Sequence, residues 1–195
     1  MSNDTDPPES KLTRSKQRWA REGKFLTGRI TRPEDQRLPP GQHLTKDWPV
    51  LDLGLLPNVT RERWRLDVYG AVEQTIYWDW PQFMAQPQTQ FVSDIHCVTT
   101  WSRYDNQWEG LATRDLLAVC QPREDALLAH SWSGQPLEQE HGGPVRLVVP
   151  HLYFWKSAKW LQRIEFLTDD APGFWEERGY HNRGDPWAEQ RYSGD

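Results

Sequence analysis

Cys97 is one of two cysteines in this chain of 195 residues, and its neighbours suit a chemical role. It lies in Ser93-Asp94-Ile95-His96-Cys97-Val98-Thr99-Thr100-Trp101-Ser102. An apolar run over 91–95 leads in, and hydroxyl-bearing residues and a Trp lead out, as expected of a strand that presents a thiol from a tight loop. Thiolates bind soft or high-valent metal centres well, and a coordinated thiol is deprotonated. Cysteine statistics alone favour the alternative, a buried structural residue. A second group follows downstream: His141-Gly142-Gly143-Pro144-Val145-Arg146, then Lys156-Ser157-Ala158-Lys159. The glycines permit close backbone approach, Arg146 offers a planar fork, and Lys156, Ser157 and Lys159 offer further donors. Such donors suit a terminal phosphate held by charge-assisted hydrogen bonds. The competing reading is a solvated basic loop.

These residues need elements to position them. Residues 64–70 alternate apolar and polar, the period of a half-buried strand, and 75–78 reads as its hairpin partner. Residues 79–84 fit a short helix with Asp79 as N-cap. The strand at 91–95 precedes the Cys97 loop. Residues 105–107 and Trp108-Glu109-Gly110 read as turns, and Thr113 as the cap of a helix running to Val119. Short apolar runs at 126–130 and 145–149 have strand length, and 161–167 is another half-buried strand. Basic groups interleave with aromatics between the last two. Residues 1–47 form a polar tail and a Pro-rich extended arm, 48–168 the packed domain, and 169–195 a segment whose aromatics imply that it wraps across that domain.

Composition narrows the function classes. A net charge of −5 argues against a nucleic-acid binder. Two cysteines cannot build a four-Cys zinc site or an iron–sulfur centre, and no pair of the six histidines has the helical spacing of a zinc site. Cys120, at the end of an apolar helix, reads as core. No apolar run is long enough for a membrane span, and the polar N-terminus lacks an apolar leader, so the expected location is cytoplasmic. Twelve Trp, six Tyr and six Phe offset the scarcity of aliphatics in filling a core.

Taken in order, the Cys97 loop, His-Gly-Gly-Pro-Val-Arg-Leu-Val-Val-Pro and Lys-Ser-Ala-Lys-Trp resemble the molybdopterin-binding domain of the sulfite oxidase superfamily. The likeness is nearest to its small single-domain, sulfite oxidase-like oxidoreductases. It extends from Trp48 to Tyr192 and includes Trp108-Glu109-Gly110, Gly173-Phe174-Trp175-Glu176 and Gly184-Asp185-Pro186-Trp187. The resemblance implies an α+β fold of mixed, mostly antiparallel, barrel-like sheets with short flanking helices. It implies a molybdenum cofactor with Cys97 as the protein's ligand to the metal. His96, Val98, Thr99, Thr100 and Trp101 would shape the loop around that ligand, while His141, Arg146, Lys156, Ser157 and Lys159 would contact the pterin or its phosphate. The implied reaction is two-electron oxygen-atom transfer on a small oxyanion or an S- or N-oxide. Without a haem or flavin signal, a separate electron-transfer partner is expected.

The sequence departs from the family in one place. Cys120-Gln121-Pro122-Arg123-Glu124-Asp125 runs almost directly into Ala126, whereas relatives carry further strands there, with a Tyr close to the metal. That Tyr has no counterpart here. The alternative function is therefore a member that binds cofactor but is catalytically degenerate, with a carrier, regulatory or structural role.

Overall fold

The computed structural model describes residues 32–51, 53–54, 56–116 and 126–195. The expectations for the N-terminal tail, for Cys120 and for the end of the helix after Thr113 lie outside the described residues. Among the described residues, nine strands form two sheets. Around the Cys97 loop, β4 (Gln88–His96) and β5 (Trp101–Ala112) make an antiparallel hairpin. On the other side of β5 lies β6 (Leu127–Trp132), which pairs with both β7 (Gln135–Pro136) and β8 (Arg146–Val148). The N-terminal arm adds β1 (His43–Leu44), parallel to the start of β5. The second sheet has the order β3-β2-β9, from Ile76–Asp79, Arg65–Gly70 and Arg163–Phe166. Strands β2 and β3 pair antiparallel, as the 64–78 pattern predicts, whereas β9 joins β2 in parallel. The described strands do not close into a barrel.

The helices are short. Helix α1 (Trp80–Met84) starts at Asp79, whose side chain accepts from the Gln82 N–H while Gln82 reaches back to the Asp79 N–H, a reciprocal capping box. Helix α2 spans Thr113–Leu116. Apolar side chains divide into two clusters. One joins Trp64, Leu66, Val68 and Phe83 to Leu111, Leu128, Val145 and Leu161, so it glues the two sheets together. The other lies under the β4–β5 hairpin and contains Ile95, Cys97, Trp101 and Trp108.

The turns expected at 105–107 and at Trp108-Glu109-Gly110 are absent as such, because these residues are interior to β5. Gly110 serves strand packing instead: a Cβ there would lie 2.1 Å from the Leu128 carbonyl oxygen. Close approach of a neighbouring strand, which reads locally like a turn signal, excludes any side chain at that position. Asp105 supplies the irregularity, with φ of 54° inside the strand.

Candidate cofactor site

The β4–β5 connection is the tight loop that carries Cys97. The Thr100 N–H donates to the Cys97 carbonyl at 3.1 Å and the Cys97 N–H to the Trp101 carbonyl at 2.9 Å. Thr100 takes the left-handed backbone conformation that closes the turn (φ 75°). Behind the turn runs a polar chain. Gln42 donates its amide N–H to the Cys97 carbonyl (3.1 Å), which turns Gln42 Oε1 toward the Ser102 hydroxyl (3.2 Å). Since Ser102 donates to Gln42, its oxygen accepts from His96 Nδ1 at 2.9 Å. His96 is therefore the neutral Nδ1–H tautomer. Burial pushes its pKa down to about 4, which keeps it neutral. Trp187 meets the His96 ring edge-on at 4.8 Å.

Cys97 itself is buried, and its sulfur lies 3.1 Å from the Thr99 hydroxyl. Burial raises the thiol pKa, against smaller lowering effects from Thr99, Val98 and the Arg191 charge. Burial of this kind keeps a thiol protonated, as it also does for a core cysteine, and a thiol that binds a metal loses that proton. Arg191, from the C-terminal segment, donates to the Val98 carbonyl (2.9 Å) and the Pro40 carbonyl (3.2 Å). It thereby ties the loop to the N-terminal arm.

The second group centres on Arg146, which is 1% exposed. Its guanidinium donates to the carbonyls of His141 (2.7 Å) and Ser157 (2.9 Å), and Phe154 lies 4.1 Å from it face-on. All of these partners are neutral, and burial pulls the guanidinium pKa down to about 9. This buried cation is held by carbonyls and aromatic faces, with no anion among those contacts, which makes it an anion-binding candidate. Trp48 stacks on His141 at 3.9 Å and, with Phe154, packs against the cluster that contains Cys97. These two rings join the metal-ligand candidate to the anion-binding candidate.

The remaining predicted donors divide. Ser157 accepts from the Val149 N–H at 2.9 Å, and Lys159 donates to the carbonyls of Glu140 (2.7 Å) and Leu51 (2.8 Å), one residue from the His141 carbonyl that Arg146 holds. Lys156 turns away to an ion pair with Glu176 and a bond to the Asn182 carbonyl. The glycines do not open toward a ligand. A Cβ on Gly143 would sit 2.1 Å from the Leu137 carbonyl oxygen, and one on Gly142 2.9 Å from Lys159, so their role is to let the chain pack on itself. Sequence reasoning did not assign Trp48, Gln42 or Arg191. Each reaches the site from a segment without periodicity, so only contacts far apart in the chain reveal them.

The residues present fit a molybdopterin: one thiol at a hairpin tip, and a buried guanidinium whose partners carry no negative charge. Comparison with known proteins agrees with that chemistry. Residues 53–126 and 120–175 match the oxidoreductase molybdopterin binding domain family. The uncharacterized oxidoreductase YuiH of Bacillus subtilis is 42% identical over 193 residues, covering 85% of this chain and 98% of its own length. Mitochondrial sulfite oxidase of Rattus norvegicus is 36% identical over 69 residues, and the match spans only 13% of that protein. The protein-methionine-sulfoxide reductase catalytic subunit MsrP of Campylobacter jejuni is 23% identical over 166 residues, or 56% of its length. In fold, the chain is similar to the sulfane dehydrogenase SoxCD of Paracoccus pantotrophus, with a TM-score of 0.57 at 19% identity over 68% of this chain and 46% of that one.

Proposed function

The chain belongs to the family of oxidoreductase molybdopterin-binding domains, and we propose that Cys97 is its ligand to the molybdenum of that cofactor. His141, Arg146, Ser157 and Lys159 would hold the pterin and its phosphate, with Lys156 joining them on release from Glu176. When bound, the cofactor supplies two-electron oxygen-atom transfer, and the protein supplies binding, orientation and electrostatics. The substrate class is a small oxyanion or an S- or N-oxide, and a separate protein exchanges the electrons. The chain's own residues have defined tasks. Gln42, Ser102 and His96 fix the carbonyl side of the Cys97 turn and leave the sulfur as its one reactive atom. Arg191 secures the adjoining Val98 carbonyl and keeps a positive charge near the sulfur.

The observation that carries this reading is Arg146, a buried cation with no anion beside it among the described residues, joined through Trp48 and Phe154 to the cluster holding Cys97. A second reading, a member that holds cofactor without turnover, draws support from residues 120–126, where the two stretches matched to the family overlap.

Molybdenum analysis of protein made in a cofactor-producing host tests the first reading. Wild type should carry stoichiometric metal, and Arg146→Met should retain roughly tenfold less. Cys97→Ser should fold normally but lose metal-centred turnover. Wild type without molybdenum, or Cys97→Ser with full activity, would overturn the assignment. Turnover of sulfite or sulfoxides with artificial electron carriers distinguishes the active enzyme from the degenerate one.

A further inference from the structure

The chain that follows the candidate cofactor clamp forms the wall of an open groove of about 620 Å³. Its lining includes Arg63, Arg65, Arg163, Lys159 and Trp160, and Asp67 is the one acid among the described lining residues. Asp67 lies 3.7 Å from Arg163, whose side chain is 74% exposed, so one carboxylate faces four cations. This is a strong local excess in a chain of net charge −5.

A second observation adjoins it. Leu51, Leu53 and Leu56 are 52%, 68% and 44% exposed, and Lys159 of the groove wall and Gln139 beside it hold the carbonyls at 51 and 57. Lys159 donates to the Leu51 carbonyl at 2.8 Å, and Gln139 to the Pro57 carbonyl at 2.6 Å. The Trp160 indole in turn donates to the Gln139 carbonyl at 2.7 Å. Three exposed leucines fixed beside a basic groove match the anatomy of a docking site, with an apolar anchor and a charged rim.

We propose that the leucine segment and this groove together bind a protein partner with an acidic, leucine-accepting surface. Charge complementarity names the partner's sign, because exposed guanidinium groups steer and orient carboxylate-bearing surfaces. The groove favours a protein over a lipid bilayer, since it can receive a protruding side chain and a flat membrane offers none. The groove is also backed by the clamp: Trp160 N–H donates to the Gly142 carbonyl and Leu161 N–H to the Val145 carbonyl, at 3.0 and 2.8 Å. A docked partner would thus sit one layer of backbone from His141 and Arg146. That this partner is the electron carrier rests on the proposed function, whereas the docking surface does not.

The test uses the full chain and a fluorescent acidic peptide of alternating Glu and Leu, followed by anisotropy at about 20 mM and about 300 mM salt. Wild type should bind in a salt-sensitive manner. The Arg63→Glu/Arg163→Glu double variant should bind roughly tenfold more weakly, and Leu53→Ser should also weaken binding. Arg63→Lys/Arg163→Lys should retain it. If the double reversal fails to fold, Arg63→Gln serves in its place, with the same direction. No binding by wild type, or binding indifferent to these changes, would overturn the proposal. So would tighter binding to phosphatidylglycerol vesicles, or a dimer in sedimentation that dissociates on Arg163→Glu, which would mark a membrane or a second copy as occupant. Molybdenum content should be unchanged in every variant; its loss would instead assign these arginines to the cofactor.

Discussion

His130 shows how a single buried group can make this fold sensitive to acid. It sits in β6 between the edges of Trp80 and Phe83, with no hydrogen-bond partner for Nε2 among the described residues. Burial lowers its pKa from the ordinary value near 6.5, only partly opposed by Glu109. Below that value the unfolded chain takes up a proton that the folded chain still refuses. Stability therefore rises with pH across this window and is lost as pH falls through it. His130→Leu, close in volume, should stabilise the protein by about 1 kcal/mol and flatten this dependence. Urea unfolding at about pH 5 and about pH 7 checks it, and an unchanged slope would exclude His130 as the source.

Among the described elements, β5 is the longest strand, and it pairs with β4, β6 and β1. Its twelve residues place Trp101 beside the Cys97 turn and Trp108 in the same cluster. Gly110 permits this, since the Leu128 carbonyl occupies the space of a side chain. Gly110→Ala should cost about 3 kcal/mol by overpacking two strands, read as a lower urea midpoint. Midpoints equal to wild type would show that β6 can yield there. The capped helix α1 and the β2–β3 hairpin were legible in the sequence, because a capping box and a two-residue alternation are local signals. Strand β5 was not, because Asp105 and Gly110 mimic turn residues until the partner strands are in place.

At the scale of the molecule, both ends of the described chain close over the Cys97 turn. Arg37 makes a two-point ion pair with Asp94 at 2.6 Å for each bond and reaches Asp105 at 2.7 Å, pinning the arm to β4 and β5. These bonds raise the Arg37 pKa further above its ordinary value, against the opposing effect of burial. From the C-terminal side, Trp187 donates to the Gln36 carbonyl at 2.9 Å, and Arg191 bridges Val98 and Pro40. Arg191→Met should loosen this clasp locally. Amide exchange in the Cys97–Trp101 turn should quicken about tenfold while β2 and β3 stay protected. Uniform acceleration in both sheets would mean that Arg191 supports the whole fold instead.

The order of motifs along the chain was enough to identify the family, since each motif is a run of adjacent residues. The aromatics of 169–195 raise the expectation of a segment that wraps across the domain; the contacts themselves, Trp187 with the Gln36 carbonyl and Arg191 with the Val98 carbonyl, are visible only in the structure. The burial of Arg146, the Gln42–Ser102–His96 chain behind Cys97, the diversion of Lys156 to Glu176 and the leucine-edged groove were decided only by the tertiary structure. Each depends on contacts between residues far apart in sequence: 57 positions separate Arg37 from Asp94, 93 separate Val98 from Arg191, and 151 separate Gln36 from Trp187. Residue type states what a side chain can bind. Which partner it meets, and how much water remains around it, is set by the packing of distant segments, and that fixes its charge and its availability.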